Sequence, residues 1–137
     1  MVAPFLGRLS GAVPAQPTAA TDEPSVIGRA PFAGTVSQVL FIPEANITGA
    51  ATNNRIYSLI NKGQDGNGTT VIATLEMASG VNATDFNELV IPLSGTPANL
   101  VVAAGDTLSW LSDAQNTGLA DPGGTVIVEI NRSTTPG

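Results

Sequence analysis

The sequence predicts an all-β protein: a small jelly-roll-like β-sandwich or barrel of about eight strands, preceded by an extended N-terminal arm. Three observations predict it. Short apolar runs recur along the chain, several with a period of two, and Gly, Pro, Asn or Asp punctuates them. No long segment has helical period. The first 24 residues carry Pro4, Pro14, Pro17 and Pro24 and show no sustained period of either kind.

Residues 1–24 therefore read as an arm, and residues 25–137 as a single body. Ser25–Arg29 is a short first strand, and Gly34–Ile42, rich in Val, Ile and Phe, is a firmer one that Pro43 stops. Glu44–Asn54 is a polar loop, and Arg55–Asn61 is the next strand. Gln64–Gly68 supplies Asp-Gly and Asn-Gly, which tolerate positive φ and close a hairpin. Thr69–Met77 alternates, with Val71, Ala73, Leu75 and Met77 expected on one face. Asn87–Leu93 is a strand that Pro92 places at an end or an edge. Asn99–Val102 is short. Thr107–Ser112 alternates with Leu108 and Trp110 together, and Asp121–Gly124 is a turn. Thr125–Asn131 closes the series with Val126, Val128 and Ile130 on one face. Single helical turns are expected at most within 44–53 or 82–88.

Charge narrows the function classes. The net charge is −6, and the cations Arg8, Arg29, Arg55, Lys62 and Arg132 are scattered. Nucleic-acid binding needs clustered Lys and Arg to displace counterions, so no nucleic acid is expected. No polybasic run favours an anionic membrane, and no apolar run approaches the roughly 20 residues of a membrane span. The N-terminus lacks a basic n-region, so a signal peptide is not expected, and synthesis in a cytoplasm fits the absence of cysteine.

The chemistry of catalysis is sparse. With no His and no Cys, the usual general base, thiolate nucleophile and zinc ligands are missing. Carboxylate chemistry remains, but most acids lie in turns, where Asp caps the backbone. No enzyme, no cofactor and no metal site is expected. The Asp65–Gly68 stretch reads as a hairpin turn, because the spacing of a calcium loop fails. Four Asn-X-Ser/Thr sequons, at Asn46, Asn67, Asn82 and Asn131, mark loops.

Binding residues are then sought among exposed apolar groups. Phe5, Leu6, Leu9 and Val13 in the arm read as a strap that docks on a partner, with Arg8 pairing a partner carboxylate. A plain disordered terminus is the alternative. Tyr57 and Trp110, the single Tyr and single Trp, are candidates for an interface or a stacked sugar ring. Trp110 on its alternating strand is expected in the core, and Tyr57 is open between the two.

Arg55–Leu75, Val101–Trp110 and Gly118–Arg132 resemble the capsid decoration, or cement, proteins of tailed bacteriophages. The resemblance implies a β-rich structural protein on the outer surface of a virion, bound to the major capsid protein. It also implies a homo-trimer at three-fold or local three-fold positions and an arm reaching neighbouring subunits. Capsid stabilisation is the expected function. The alternative is a head-fibre or receptor-binding module that recognises a cell-surface glycan, since such modules share the same strand and turn pattern.

Overall fold

A computed structural model describes residues 6–133 of the chain. The all-β expectation holds. The strands are β1 Leu6–Val13, β2 Glu23–Arg29, β3 Gly34–Pro43, β4 Ile47–Thr48, β5 Arg55–Gly63, β6 Thr70–Glu76, β7 Asn82–Ala83, β8 Leu89–Val90, β9 Val101–Val102, β10 Thr107–Ala114 and β11 Gly124–Arg132. Among the described residues the single helical turn is a 3-10 turn at Pro97–Leu100. It lies in neither loop where a turn was expected, and Pro97 sets its first φ.

Two antiparallel sheets face each other. One runs β1-β11-β3-β8, with β9 also paired to β3; the other runs β2-β10-β5-β6. A separate two-stranded ribbon joins β4 and β7. One corner is closed by residues 91–94, which change sheets. The Ile91 amide donates to the Val39 carbonyl at 2.9 Å, and the Ser94 amide donates to the Ile72 carbonyl at 2.8 Å. Pro92 stands at the hand-over, where its missing N–H costs no ladder bond, while its carbonyl accepts the Thr74 amide at 3.1 Å. The strand expected over Asn87–Leu93 is therefore cut short at Val90.

The N-terminal segment corrects the sequence reading. Leu6–Val13 is not a separate arm: it pairs with β11 from Leu6↔Asn131 to Val13↔Gly124, as an edge strand of the first sheet. The body thus includes residues from Leu6 onward. The reason is steric. Gly7, Leu9, Gly11 and Val13 share the inner face; Gly11 lets β2 approach, and Gly7 leaves room for the Phe32 ring just beyond it. A Cβ on Gly11 would stand 3.0 Å from both the Cα and the carbonyl oxygen of Ile27, and one on Gly7 would strike the Phe32 ring. In return Leu9 packs onto Gly28 of β2. The backbone fills this corner where side chains would not fit.

The core lies between the sheets. Its centre is an aromatic trio in which Tyr57 stacks on Trp110 at 5.4 Å between centroids, with Phe41 5.0 Å from Tyr57 and 5.4 Å from Trp110. Val126, Val128 and Ile130 of β11 point inward as expected. The face of β6 does not follow expectation. Ile72 and Ala73 are both buried, and Val71 is 36% exposed. A bulge between Leu59 and Ile60 shifts the β5–β6 register and breaks the simple alternation. The predicted hairpin turn is present: the Asp65 carboxylate accepts the Asn67 amide at 3.0 Å, and Gly66 takes a positive φ of 82°.

Candidate functional site

The densest polar cluster lies inside the molecule. Arg55 opens β5 on its inward face, in phase with Tyr57 and Leu59, and is 1% exposed. Its Nε donates to the Leu119 carbonyl. Nη1 donates to the Ser112 carbonyl and hydroxyl oxygens, both at 3.1 Å. Nη2 reaches the carbonyls of Thr18, Ala19 and Thr21 at 3.2, 3.2 and 2.9 Å. The Ser112 hydroxyl donates onward to Asp121 at 2.5 Å, and Asp121 also accepts the Gly123 amide at 2.9 Å. A buried guanidinium demands partners for its donors, and here mostly backbone carbonyls supply them. Arg55, Ser112 and Asp121 are all buried, so the cluster offers a substrate no approach. Its work is to fasten the loop after β1 onto β5 and β10.

Tyr57 belongs to the same region. Burial pushes its phenol well above the ordinary range, and the charge of Asp121 pushes it further. Tyr57 and Trp110 are 0% and 1% exposed. Neither ring has a face for a sugar or a partner: Trp110 takes the core place expected of it, and Tyr57, open between core and contact, is a core residue too.

The strap residues are divided by the strand they form. Val13 is buried and Leu9 packs against the core, so both serve the fold and are unavailable to a partner. Leu6 is 46% exposed. Arg8 points outward from the next outer position, but its Nε pairs with Glu129 of this chain at 3.3 Å, not with a free partner. Phe5 lies outside the described residues.

The structure brings forward surfaces that sequence reasoning missed. On the outer face of the first sheet, Ile127, Leu40 and Val90 form a cross-strand row through the pairs Ile127↔Leu40 and Leu40↔Val90. Beside it run Arg8, Glu129 and Gln38. A shallow hollow of about 280 Å³ lies among these two rows. On the outer face of the second sheet, Pro24, Val26, Ile60 and Leu111 line a larger, mostly apolar groove of about 500 Å³. The signal for the first was present: runs such as VLFI and TVIVEI are apolar at both parities, which marks strands covered on two sides.

Among the described residues no group of three acidic side chains is placed to hold a metal ion. No helix among them is long and apolar enough to cross a membrane.

No family model and no curated protein matches the chain. Solved structures do. FlhE aligns with a TM-score of 0.51 at 14% identity, over 96% of this chain and 100% of that one. At that identity the likeness concerns fold alone. Two structures of infectious bursal disease virus, of the Gx and Gt strains, align with TM-scores of 0.42 and 0.38 at 9% and 14% identity. They cover 98% and 94% of this chain but only 34% and 33% of the viral ones. These two alignments bear on neither topology nor function here.

Proposed function

We propose that this is a structural virion protein that binds the outer surface of an assembled phage capsid and stabilises it. The observation that carries the reading is the resemblance of Arg55–Leu75, Val101–Trp110 and Gly118–Arg132 to decoration proteins. Those stretches build the β5–β6 hairpin, most of the β9–β10 region and β11. The role needs no catalysis. A ligand that binds only the assembled shell stabilises it by mass action.

The contact surface differs from a free arm. The edge strand β1 leaves one side of its backbone unpaired by the sheet, which suits strand addition by a segment of the major capsid protein. Leu6 and Arg8 stand on that edge strand and would supply side-chain contacts, and exposed Val90 lies across the same sheet on β8.

Co-sedimentation with purified shells tests the proposal. The protein is expected to pellet with assembled shells, to stay in solution with unassembled capsid subunits, and to raise the temperature at which shells break. Leu6→Glu combined with Arg8→Glu is expected to weaken pelleting without unfolding the body. Failure of the unaltered protein to pellet with its cognate shells would overturn the reading.

A further inference from the structure

The outer face of the β2-β10-β5-β6 sheet has a charge polarity along its strands. Asp113 and Glu76 flank Ile56 at one end. Asp22 joins them there, accepting the Ala114 amide at 2.8 Å. Arg29 and Lys62 stand at the opposite end, beside Thr107. Two acids also stand near this end and offset part of its positive charge: Asp106, which accepts from Asn61 and from the Ala103 amide, and Asp65, which accepts the Asn67 amide. Between the ends the surface is uncharged and largely apolar, with Val26 69% exposed, Val71 36% exposed, and Ile60 and Leu111 in the groove.

We propose that this face binds a second copy of the chain about a two-fold axis that lies in the interface plane, perpendicular to the strands. Two copies of a chain with a net charge of −6 repel each other in most orientations. A two-fold axis through the middle of this face reverses one copy over the other. The acidic end then meets the cationic end twice, and the apolar strips meet at the centre. A parallel arrangement would set like charges together. The face is therefore self-complementary in one orientation, which is the requirement of an isologous dimer.

The size of the patch sets the strength. Four strands about 4.8 Å apart and about 20 Å long give a flat footprint of about 400 Å² per copy. That is near half of the roughly 800 Å² per partner of a standard stable interface. The dimer is weak in dilute solution and forms as concentration rises. It departs from the three-fold assembly that the resemblance implies, and it uses the sheet opposite to β1, so it stands apart from the capsid reading.

Sedimentation equilibrium of the full chain over graded concentrations tests the proposal. A monomer–dimer equilibrium is expected. Val26→Lys is expected to leave monomer over the same range with an unchanged melting temperature. Should that variant melt early, Ser109→Arg on the central strand makes the same test. Lys62→Glu is expected to weaken the dimer about tenfold, and adding Asp113→Lys to it is expected to restore association. Monomer throughout up to about 1 mM, the weak limit of specific association, overturns the proposal. So does a trimer, a dimer indifferent to both Val26→Lys and Ser109→Arg, or a charge exchange that fails to restore it.

Discussion

Arg55 and Thr21 lie 34 positions apart and are joined by a hydrogen bond of 2.9 Å from the guanidinium to the backbone carbonyl. With the bonds to Thr18 and Ala19, it anchors the return loop between β1 and β2. The N-terminal segment is thus held at three places: by the ladder to β11, by the bridge between the Gln16 and Asp121 backbones, and by one buried cation. Arg55→Met should remove the donors and leave several buried carbonyls and the Ser112 hydroxyl oxygen without them. A loss of about 3–5 kcal/mol is expected, as for a broken buried charge network. Urea unfolding measures it. Limited proteolysis should show faster cutting near Thr18–Asp22. Arg55→Lys should recover little, because one ammonium cannot span carbonyls on three sides.

Gly11 makes the second prediction. Its missing side chain lets β1 lie against the Ile27 backbone, which is not free to swing aside. Gly11→Val should force the sheets apart at this corner and cost about 1–3 kcal/mol, the usual range for overpacking. Gly95→Ala is the control, since a Cβ there meets open space. It should change stability by less than about 0.5 kcal/mol. Equal effects from both substitutions would remove the steric account of the corner.

Strands β3, β5, β10 and β11 were legible because large apolar residues recur at every second position. β1 was not. Its inner face holds two glycines, and its outer face holds Arg8, Ser10 and Ala12, so the alternation carries no hydrophobic contrast. Its partner lies more than a hundred residues away, and no local pattern announces such a pairing. The Arg55 cluster was hidden for a related reason. A cation at the start of a strand reads as exposed, and the carbonyls that bury it come from a loop of no distinctive sequence. The outer apolar rows were visible as residues but not as surfaces. Ile127 and Leu40 resemble core until the register shows them pointing away from it.

Tyr57 predicts a pH dependence at the alkaline end. Burial and the Asp121 charge raise its folded-state pKa above the unfolded value, which is about 10. The folded protein then keeps a phenol proton that the unfolded chain releases. Stability from this group is fully present below about pH 10 and is lost as pH rises above it. Ultraviolet titration of the native protein should show no phenolate appearing near pH 10, and a step only as the protein unfolds. Tyr57 is the single tyrosine, so the signal has one source. A reversible native titration near pH 10 would contradict the burial of the hydroxyl.

Asp113 predicts an effect of opposite use at neutral pH. Burial first, then the charge of Asp22, raises its folded-state pKa above the ordinary carboxylate value. The folded state therefore binds a proton more readily than the unfolded chain. As pH rises from about 4 through the raised value, the unfolded chain ionises first and stability falls. The charged carboxylate is then a standing cost at pH 7. Asp113→Asn removes that cost and keeps a polar group at the sheet end. Because Asp113 is only partly buried, solvent screening holds the gain to a few tenths of a kcal/mol. Denaturant curves at low protein concentration should show the gain at pH 7, show it vanish at pH 3, and show it shrink in high salt. An equal gain at both pH values would mean that Asn stabilises by some other contact, and that the Asp22–Asp113 repulsion is not the cause.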